Sequence, residues 1–269
     1  MSKCIGILGC GWLGLPLASA LQKDGHSVKG TTTSPAKLDM LTKQSIDAHV
    51  VQLNQERADG TLAAFLEGLD TLVVNVPPGL RKGNSGNYMK KIRQLVAPVE
   101  RSAIRQLLFV SSTSVYGSAS GEITEDTQPL PITESGKQLL AVEKLLFSTK
   151  SFKTTVVRFG GLIGPDRHPV HFLSGKKNLQ NGHETVNLIH LEDCIHMIRT
   201  IIEEGYWGEI FNGVYPHHPT KAQYYTNEAK NRGLIPPLYE PEFSEKTKKS
   251  IINKNFLIKG HRLYTSIAS

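Results

Sequence analysis

The sequence has little cysteine and no long hydrophobic run. Its 269 residues include three cysteines, Cys4, Cys10 and Cys194, and no Cys-x-x-Cys pair. So few thiols, in an odd number, exclude a disulfide framework and suit a reducing compartment, so we expect the protein in the cytoplasm. No apolar stretch approaches the ~18–20 residues of a membrane span. We interpret the opening MSKCIGILGCGWLG as a strand and a turn, because its apolar patch is broken by glycine, unlike a signal peptide.

The composition is otherwise that of an ordinary globular protein. Apolar residues make up 39% and charged residues 20%, so the chain can bury a core and does not favour disorder. The net charge of +7 is compatible with nucleic acid, an acidic membrane surface or a phosphate-rich small molecule as a partner, and the alternative is a solvated basic surface. We expect neither nucleic acid nor a membrane as a partner, because the sequence has no zinc-finger spacing and no basic stripe interleaved with aromatic residues.

Apolar runs that predict strands alternate with amphipathic stretches that predict helices through the first half of the chain. Strands are predicted at residues 3–8, 27–31, 48–53, 71–76 and 107–110, and helices at 13–24, 61–66 and 89–102. Such alternation with short connections predicts a parallel, doubly wound sheet. The expected fold class is therefore α/β of the Rossmann type.

The second half is less regular and predicts a smaller region beside the sheet. Helices are predicted at residues 135–147, 191–203 and 221–231, and strands at 154–159, 186–189 and 209–212. We expect a Rossmann domain over residues 1–160 and a smaller C-terminal substrate-side region over residues 161–269. This region packs on the domain and is not an independent one. The lysine-rich residues 246–269 are expected to form a partly ordered cap.

A glycine-rich motif lies between the first predicted strand and the first predicted helix. Residues 9–14 read Gly9-Cys10-Gly11-Trp12-Leu13-Gly14. This is the pattern G-x-G-x-x-G in the context that it requires. The first glycine permits a tight turn, the second lets the backbone approach a pyrophosphate, and the third lets the helix pack against the sheet. Backbone amides, including those of Trp12 and Leu13, would then hold the anion, and the alternative is a turn without a ligand.

The end of the second predicted strand carries no acidic residue. A carboxylate at this point would bind the ribose 2′-hydroxyl of NAD. The segment instead offers hydroxyl groups and a lysine, on Thr31, Thr32, Thr33, Ser34 and Lys37. Such groups suit the 2′-phosphate of NADP, so we predict NADP as the cofactor, with NAD as the alternative. The other interpretation is that Thr33 and Ser34 cap the next helix.

Three further segments complete a family resemblance that covers residues 3–215. They are SSTSVYG at 111–117, RFGGLIGPDRHP at 158–169 and LIHLED at 188–193. With the glycine motif, they resemble the extended short-chain dehydrogenase/reductases, the NAD(P)-dependent epimerase/dehydratase family, and within it the atypical YeeZ-like subgroup. The resemblance implies a Rossmann fold, a nicotinamide dinucleotide and a polar substrate such as a nucleotide-sugar.

The resemblance also implies a Tyr-x-x-x-Lys pair that this sequence lacks. In the family a glycine follows the tyrosine and a glutamate stands four residues after the lysine, and Gly136 and Glu143 supply that register. Ser135 and Leu139 then stand where the tyrosine and the lysine are expected. Serine cannot replace a phenol whose pKa is tuned for proton transfer, and leucine carries no charge. The sequence therefore predicts an atypical active site.

Two hydroxyl groups remain as candidate catalytic groups. Ser112 matches, by its position after the fifth strand, the serine or threonine that the family uses. Tyr116 is the phenol nearest to it in sequence and would act as a substitute acid or contact the substrate. The alternative for Tyr116 is packing at the strand end, with its hydroxyl bonded locally.

The carboxyl ends of the strands should line the rest of the cofactor site, because ligands bind at that edge of a parallel sheet. The residues that we predict there are Leu53, Asn75, Val76, Pro77 and Ser111. The loop that follows residue 76 carries three glycines and two cations, which favours either a lid near the ligand or a plain surface loop.

Three side chains are predicted to contact the substrate. Arg81 lies in the loop after the fourth strand, and Arg167 and His168 lie in GPDRHP, at a position that faces the substrate in the family. An arginine there would bind phosphate or carboxylate, and the alternative is an exposed loop. His168 and His171 are three residues apart, but no third ligand stands out, so we predict no metal.

Two functions remain open at this point. The first is an NAD(P)-dependent oxidoreductase or epimerase/dehydratase that acts on a polar metabolite. The second is a non-catalytic dinucleotide sensor or protein-interaction module, which the missing tyrosine and lysine favour. The expected partners are the dinucleotide and a small-molecule substrate, and the expected assembly is a monomer or a homodimer.

Overall fold

The computed structural model describes residues 2–56, 58–79, 87–241 and 249–269. Within these ranges the strands are β1 (Cys4–Leu8), β2 (Ser27–Thr32), β3 (Asp47–Leu53), β4 (Ala58–Gly60), β5 (Thr71–Val74), β6 (Gln106–Ser112), β7 (Gly121–Ile123), β8 (Lys153–Phe159), β9 (Gly161–Ile163), β10 (Leu188–His190), β11 (Ile210–Gly213) and β12 (Lys249–Ile251). The helices are α1 (Gly14–Lys23), α2 (Leu38–Thr42), α3 (Leu62–Leu66), α4 (Tyr88–Glu100), α5 (Glu134–Ser148), α6 (Val170–Leu173), α7 (Leu191–Glu204), α8 (Lys221–Asn231) and α9 (Lys254–Ile258).

The central sheet has eight strands in the spatial order β11–β8–β6–β5–β1–β2–β3–β4. Neighbours from β11 to β3 run parallel, and the edge strand β4 pairs antiparallel with β3. The chain leaves β1 for β2 and β3 on one side, then returns to β5, β6 and β8 on the other. The strand order therefore reverses between β1 and β5, and ligands bind at such a reversal in these folds. The predicted Rossmann-type fold is confirmed.

Apolar side chains cover both faces of the sheet. On one face α1 and α7 bury residues such as Leu17 and Ile198 against the strands. On the other face α3 and α4 contribute Phe65 and Ile92. All four residues of β5 are buried, because a central parallel strand is covered by helices on both sides. The loops at the carboxyl ends of the strands are thus held by a rigid core.

The second half of the chain adds a smaller region with its own apolar cluster. The cluster comprises Ile163, Val170, Val186, Leu188, Tyr224, Tyr225, Ala229 and Ile267. Two parallel strand pairs, β9–β10 and β7–β12, support this region. From beyond residue 160, α7 and β11 belong to the main sheet and its helical layer. The division at residue 160 stays a prediction.

Differences from the predicted elements have local causes. The strand predicted at 71–76 ends at Val74, because the chain then turns into a proline pair that cannot donate to a sheet. The strand predicted at 186–189 begins at Leu188, where pairing with β9 starts. The predicted cap contains β12 and α9, and its first residues, 246–248, lie outside the described ranges. None of the helices described is long and apolar enough to cross a membrane.

Candidate functional site

The glycine motif forms the turn between β1 and α1. Gly9 has a φ of +108°, and a side chain there would come within 2.7 Å of the Asn75 carbonyl oxygen. Gly14 packs on the loop itself, since an added Cβ would stand 2.2 Å from the Gly9 carbonyl oxygen. A turn of this hand and a contact this close each require glycine.

Gly11 differs from Gly9 and Gly14 because the space around it is open. No atom lies within 4 Å of an added Cβ, and the residue is exposed. Helix α1 begins beside it with no side-chain cap and no acidic residue in its first turn. The Leu15 and Leu17 amides of α1 are already paired with the Gly11 and Leu13 carbonyls, so a ligand would be held by the amides of the turn that precedes them. Open space at Gly11, beside the amides of this turn, fits a phosphate group.

Strands β2 and β5 hold this loop through hydrogen bonds. The Gly9 amide donates to the Thr31 hydroxyl at 2.9 Å, and the Cys10 amide donates to the Thr31 carbonyl at 2.9 Å. The Asn75 side-chain amide donates to the Gly9 carbonyl at 3.1 Å. The side chains of Thr31 and Asn75, two of the residues predicted to bind cofactor, are therefore engaged in positioning the loop.

Cys10 fills the space beneath the loop, next to Gly30. An added Cβ at Gly30 would stand 2.6 Å from the Cys10 sulfur, so glycine makes room for the thiol. Burial raises the pKa of the Cys10 thiol to about 12. The thiol therefore stays protonated at neutral pH and packs as a small apolar group.

A pocket of about 200 Å³ opens beside the loop, at the carboxyl ends of β1, β2, β3 and β5. The predicted cofactor residues that line it are Gly9, Thr31, Thr32, Thr33, Leu53, Val76 and Pro77. Its other described walls are Leu8, Val51, Tyr88, Lys91 and Ile92, which no sequence motif marked. Whole small-molecule sites measure roughly 300–1,000 Å³, so this pocket fits one end of a dinucleotide.

Helix α4 supplies the wall that the sequence did not predict. Its buried stripe follows helical spacing through Tyr88, Ile92, Leu95 and Val99. Lys91 lies three residues after Tyr88 and four before Leu95, so it belongs to the same face, and it is half-buried. The Tyr88 hydroxyl donates to the Val76 carbonyl at 2.7 Å and ties the helix to the pocket. A lysine inside an apolar stripe is the signal that would have found this residue.

The remaining predicted residues of this segment lie beyond the pocket. The Ser34 amide donates to the Thr32 hydroxyl at 3.1 Å. Ser34 precedes a single 3-10 turn, Pro35–Lys37, but its side chain makes no capping hydrogen bond to that turn. The capping interpretation therefore does not account for Ser34. Lys37 is exposed and is not among the described residues that line the pocket.

Trp12 connects the glycine loop to the smaller region. Its indole N–H donates to the Pro165 carbonyl at 3.4 Å, and the Arg167 guanidinium lies 4.8 Å from the centre of its ring. Arg167 is therefore brought to the glycine loop. The Leu13 side chain is buried in the core, so this residue contributes its backbone to the glycine loop. Arg81, the third residue predicted to contact substrate, lies outside the described residues.

The two serines at the end of β6 differ in surroundings. Ser112 is half-buried, and its hydroxyl accepts a hydrogen bond from the Ser114 amide at 3.2 Å. Ser111 is buried and donates to the Glu143 carboxylate at 2.5 Å. The structure therefore places the Ser111 side chain in the interior, although the sequence analysis predicted that Ser111 lines the cofactor site.

Tyr116 lies in the same interior network. Its hydroxyl donates to Asn212 Oδ1 at 2.8 Å and accepts from the Arg158 guanidinium at 2.9 Å. Arg158 also pairs with Glu143, with 2.6 Å between Nη2 and Oε2. Burial is the largest cause that raises the pKa of the Tyr116 phenol. These contacts match the packing alternative for Tyr116, because both its donor and an acceptor lone pair are used inside the protein.

His168 is buried in the smaller region. Its Nδ1 accepts from the Val170 amide at 3.2 Å, and its Nε2 lies 2.9 Å from the Tyr224 hydroxyl. Tyr224 gives its own proton to the Ile267 carbonyl at 2.6 Å, so Nε2 of the imidazole must donate and the ring is neutral. Burial lowers the pKa of His168 to about 4. Through the ranges described, no group of three or more His, Cys, Asp or Glu side chains is placed to hold a metal ion.

A profile of the NAD(P)H-binding family matches residues 9–193, the span that carries the glycine loop and the pocket. The chain belongs to this family. Protein YeeZ of Escherichia coli K12 is 34% identical over 240 residues, which covers 88% of this chain and 86% of that protein. The predicted resemblance to the extended short-chain dehydrogenase/reductases, with YeeZ-like relatives, is confirmed.

Solved structures with the same fold include two nucleotide-sugar epimerases. UDP-glucose 4-epimerase of Thermotoga maritima, solved with UDP-glucose, superposes with a TM-score of 0.81 at 16% identity, over 98% of this chain and 94% of that one. UDP-glucuronic acid 4-epimerase of Bacillus cereus, solved with UDP-glucuronic acid and NAD, superposes with a TM-score of 0.77 at 18% identity, over 98% and 95% of the two chains. At these identities the likeness establishes the fold.

Proposed function

We propose that this protein binds NADP(H) and uses it on a polar metabolite, with nucleotide-sugars as the first class to test. The observation that carries the proposal is the open space at Gly11, in the glycine turn before α1 and beside a pocket of the size of one dinucleotide end. When bound, the nicotinamide dinucleotide would supply the hydride chemistry. The protein would supply binding, orientation and exclusion of water.

Each part of the site has a role in this proposal. The loop amides hold the pyrophosphate, and the pocket lined by Leu53 and Val76 takes the adenosine end. Arg167, beside the loop, binds the phosphate or carboxylate of the substrate in bidentate fashion. Ser112 contacts the reacting group with its half-buried hydroxyl. Tyr116 serves as a positioning residue behind it, because its hydroxyl is bonded to Asn212 and Arg158.

The active site proposed here lacks the family pair of phenol and ammonium. Ser135 stands in the first turn of α5, and Leu139 is 4% exposed and packs in the apolar core. A leucine in the core cannot lower the pKa of a neighbouring acid. This observation also supports the second candidate function, a dinucleotide sensor that does no chemistry and recruits a protein partner. A monomer or homodimer in the cytoplasm suits either function.

Cofactor binding is tested by titrating the protein with NADPH and with NADH, following reduced-nicotinamide fluorescence. The Gly11→Val variant should lose at least about ten-fold in affinity for both, because its side chain would occupy the phosphate space. Its thermal midpoint should stay that of the parent, since no atom lies within 4 Å of the added Cβ. A parent protein that binds neither dinucleotide would refute the proposal.

Substrate class is tested with UDP-glucose and UDP-glucuronic acid in the presence of NADP⁺ or NAD⁺, with free glucose as the comparison. Ser112→Ala should cut turnover by about 10²-fold while leaving dinucleotide affinity unchanged. Ser118→Ala, an exposed serine on the same connection, is the matched control and should behave like the parent. Turnover that is equal in all three proteins would remove Ser112 from the mechanism.

The sensor hypothesis makes a different prediction for the same protein. Partner capture should depend on whether the dinucleotide is oxidised or reduced, and no turnover should be found with either nucleotide-sugar. Partner binding that ignores the redox state would exclude this hypothesis.

A further inference from the structure

The pocket beside the glycine loop has an apolar floor and one charged wall. Apolar side chains of β1, β3, α4 and the segment that follows β5 form the floor, and threonines at the end of β2 form one rim. No carboxylate lines it among the described residues, and Lys91 alone of them carries a charge. An ammonium in a pocket without acidic neighbours is a site for an anion.

Lys91 faces this pocket because of its place on α4. Its neighbours on the helix face, Tyr88 and Ile92, are 2% and 0% exposed and also line the pocket. The adjacent Lys90 is exposed and is not among the described residues that line the pocket. Lys91 is half-buried, and a charge in such a position is screened less than a surface charge.

The described residues on the rim opposite Lys91 are threonines, which present hydroxyl groups to an anion. The Thr31 hydroxyl accepts from the Gly9 amide, and the Thr32 hydroxyl accepts from the Ser34 amide. Thr33 is held through its carbonyl, which accepts from the Gln52 side-chain amide at 3.0 Å. Thr33 is exposed and lines the same pocket as Lys91. A hydroxyl and an ammonium across one small cavity match a phosphate monoester.

We infer that Lys91 binds the 2′-phosphate of NADP(H) and so decides the preference for NADP over NAD. This inference rests on the proposed function, since it needs a dinucleotide in the pocket. It replaces Lys37, the lysine that the sequence suggested, because Lys37 is exposed and does not line the pocket. It also explains why the end of β2 needs no arginine of its own, since the positive charge comes from the helix that covers the pocket.

The expected size of the effect follows from the kind of contact. A hydrogen bond to a charged group contributes about 1.5–3 kcal/mol, which corresponds to about a 10- to 100-fold change in affinity. NAD(H) has no phosphate at this position, so its affinity should not depend on the Lys91 charge.

The test compares Lys91→Met with Lys90→Met in the full chain, by titration with NADPH and NADH. Lys91→Met should raise the Kd for NADPH by about 10- to 100-fold and leave the Kd for NADH within about two-fold. Lys91→Arg should restore most of the NADPH affinity, because it restores the charge. Lys90→Met should match the parent for both. Competition by 2′,5′-ADP and by 5′-AMP repeats the comparison without the nicotinamide half.

The outcomes separate this inference from the function on which it rests. If the parent binds neither dinucleotide, the proposed function fails. If the parent binds dinucleotides and Lys91→Met weakens NADPH and NADH equally, or weakens neither, the function stands and the inference is wrong. The unchanged NADH affinity expected for Lys91→Met also shows that the variant is folded.

Discussion

At the scale of single residues, a buried polar network begins at Ser111, beside Ser112 at the end of β6. Glu143 accepts from Ser111 and from the Arg158 guanidinium, and Arg158 donates to Tyr116. Tyr116 continues the chain to Asn212, which belongs to β11. The network therefore joins β6, α5, β8 and β11, and each member satisfies another that would otherwise be buried without a partner.

Tyr116→Phe separates a structural role from a catalytic one. The variant leaves Asn212 and Arg158 each without one hydrogen-bond partner, so the free energy of unfolding should fall by about 1–3 kcal/mol. The Kd for NADPH should not change. Urea unfolding and fluorescence titration measure the two quantities. A variant of parental stability that has lost turnover would instead assign Tyr116 to the chemistry.

The Arg158–Glu143 pair gives the second residue-scale prediction. Glu143→Ala should lower the free energy of unfolding by about 3–5 kcal/mol, because it leaves the Arg158 charge buried and unpaired. The double variant Glu143→Leu with Arg158→Met removes both charges and should be more stable than Glu143→Ala. A double variant that is less stable than the single one would contradict this account.

At the scale of elements, the first turn of α7 anchors the end of the described chain. The Asp193 carboxylate accepts from the backbone amides of Tyr264 and Thr265 at 2.9 and 3.0 Å. An acidic side chain in the first turn also interacts favourably with the helix dipole. Behind this contact Leu263 and Ile267 are buried, so the segment is fixed at several points.

Asp193→Ala should release this segment. Losing two hydrogen bonds to a charged acceptor should cost about 3 kcal/mol locally and expose the chain near Lys259 and Arg262 to trypsin. Glu192→Ala is the matched control, because Glu192 is exposed in the same helical turn. The rate of tryptic cleavage, followed by mass spectrometry, should rise only for Asp193→Ala. Equal rates in the two variants would show that the apolar contacts suffice.

At the scale of the whole molecule, a buried titratable pair within the smaller region links α8 to the segment before α6, and α8 in turn holds Ser269. Glu228 accepts from the Ser269 amide at 2.9 Å, and its Oε2 lies 3.7 Å from His168 Nε2. Burial raises the pKa of Glu228, but hydrogen bonds from Ser269 and Arg232 outweigh it and leave the pKa below its ordinary value. His168 is held neutral, as its hydrogen bonds require.

Global stability should therefore fall on acidification. Folded His168 has a pKa lowered to about 4 from 6.5, so between these values the unfolded chain binds a proton that the folded chain does not. The loss from this group amounts to at most about 3 kcal/mol, complete near pH 4. The lowered pKa of Glu228 acts in the same direction at the acid end, since its contribution disappears as the carboxylate is protonated.

Urea unfolding at several pH values from 7.5 to 4.5 measures this dependence. The slope of the unfolding free energy against pH is set by the number of protons taken up on unfolding. In His168→Asn this number should fall by up to one. It should not vanish, because burial also lowers the pKa of His196 and His218. A variant whose slope equals that of the parent would show that His168 does not titrate in this window.

The sequence by itself determined the β–α alternation, the glycine loop and the family, because these depend on local spacing along the chain. Apolar periodicity sets the strands and helices, and Gly9, Gly11 and Gly14 stand at fixed offsets after a strand. The sequence likewise showed Ser135 and Leu139 at the positions of the family tyrosine and lysine, because Gly136 and Glu143 fix the alignment.

Only the tertiary structure decided where individual side chains point. Ser111 and Tyr116 turn inward because their partners, Glu143 and Arg158, come from α5 and β8, and nothing near them in sequence encodes that contact. Lys91 rather than Lys37 lines the pocket because α4 covers the carboxyl ends of the strands. Local spacing fixes which element a residue belongs to, whereas its orientation depends on partners distant along the chain.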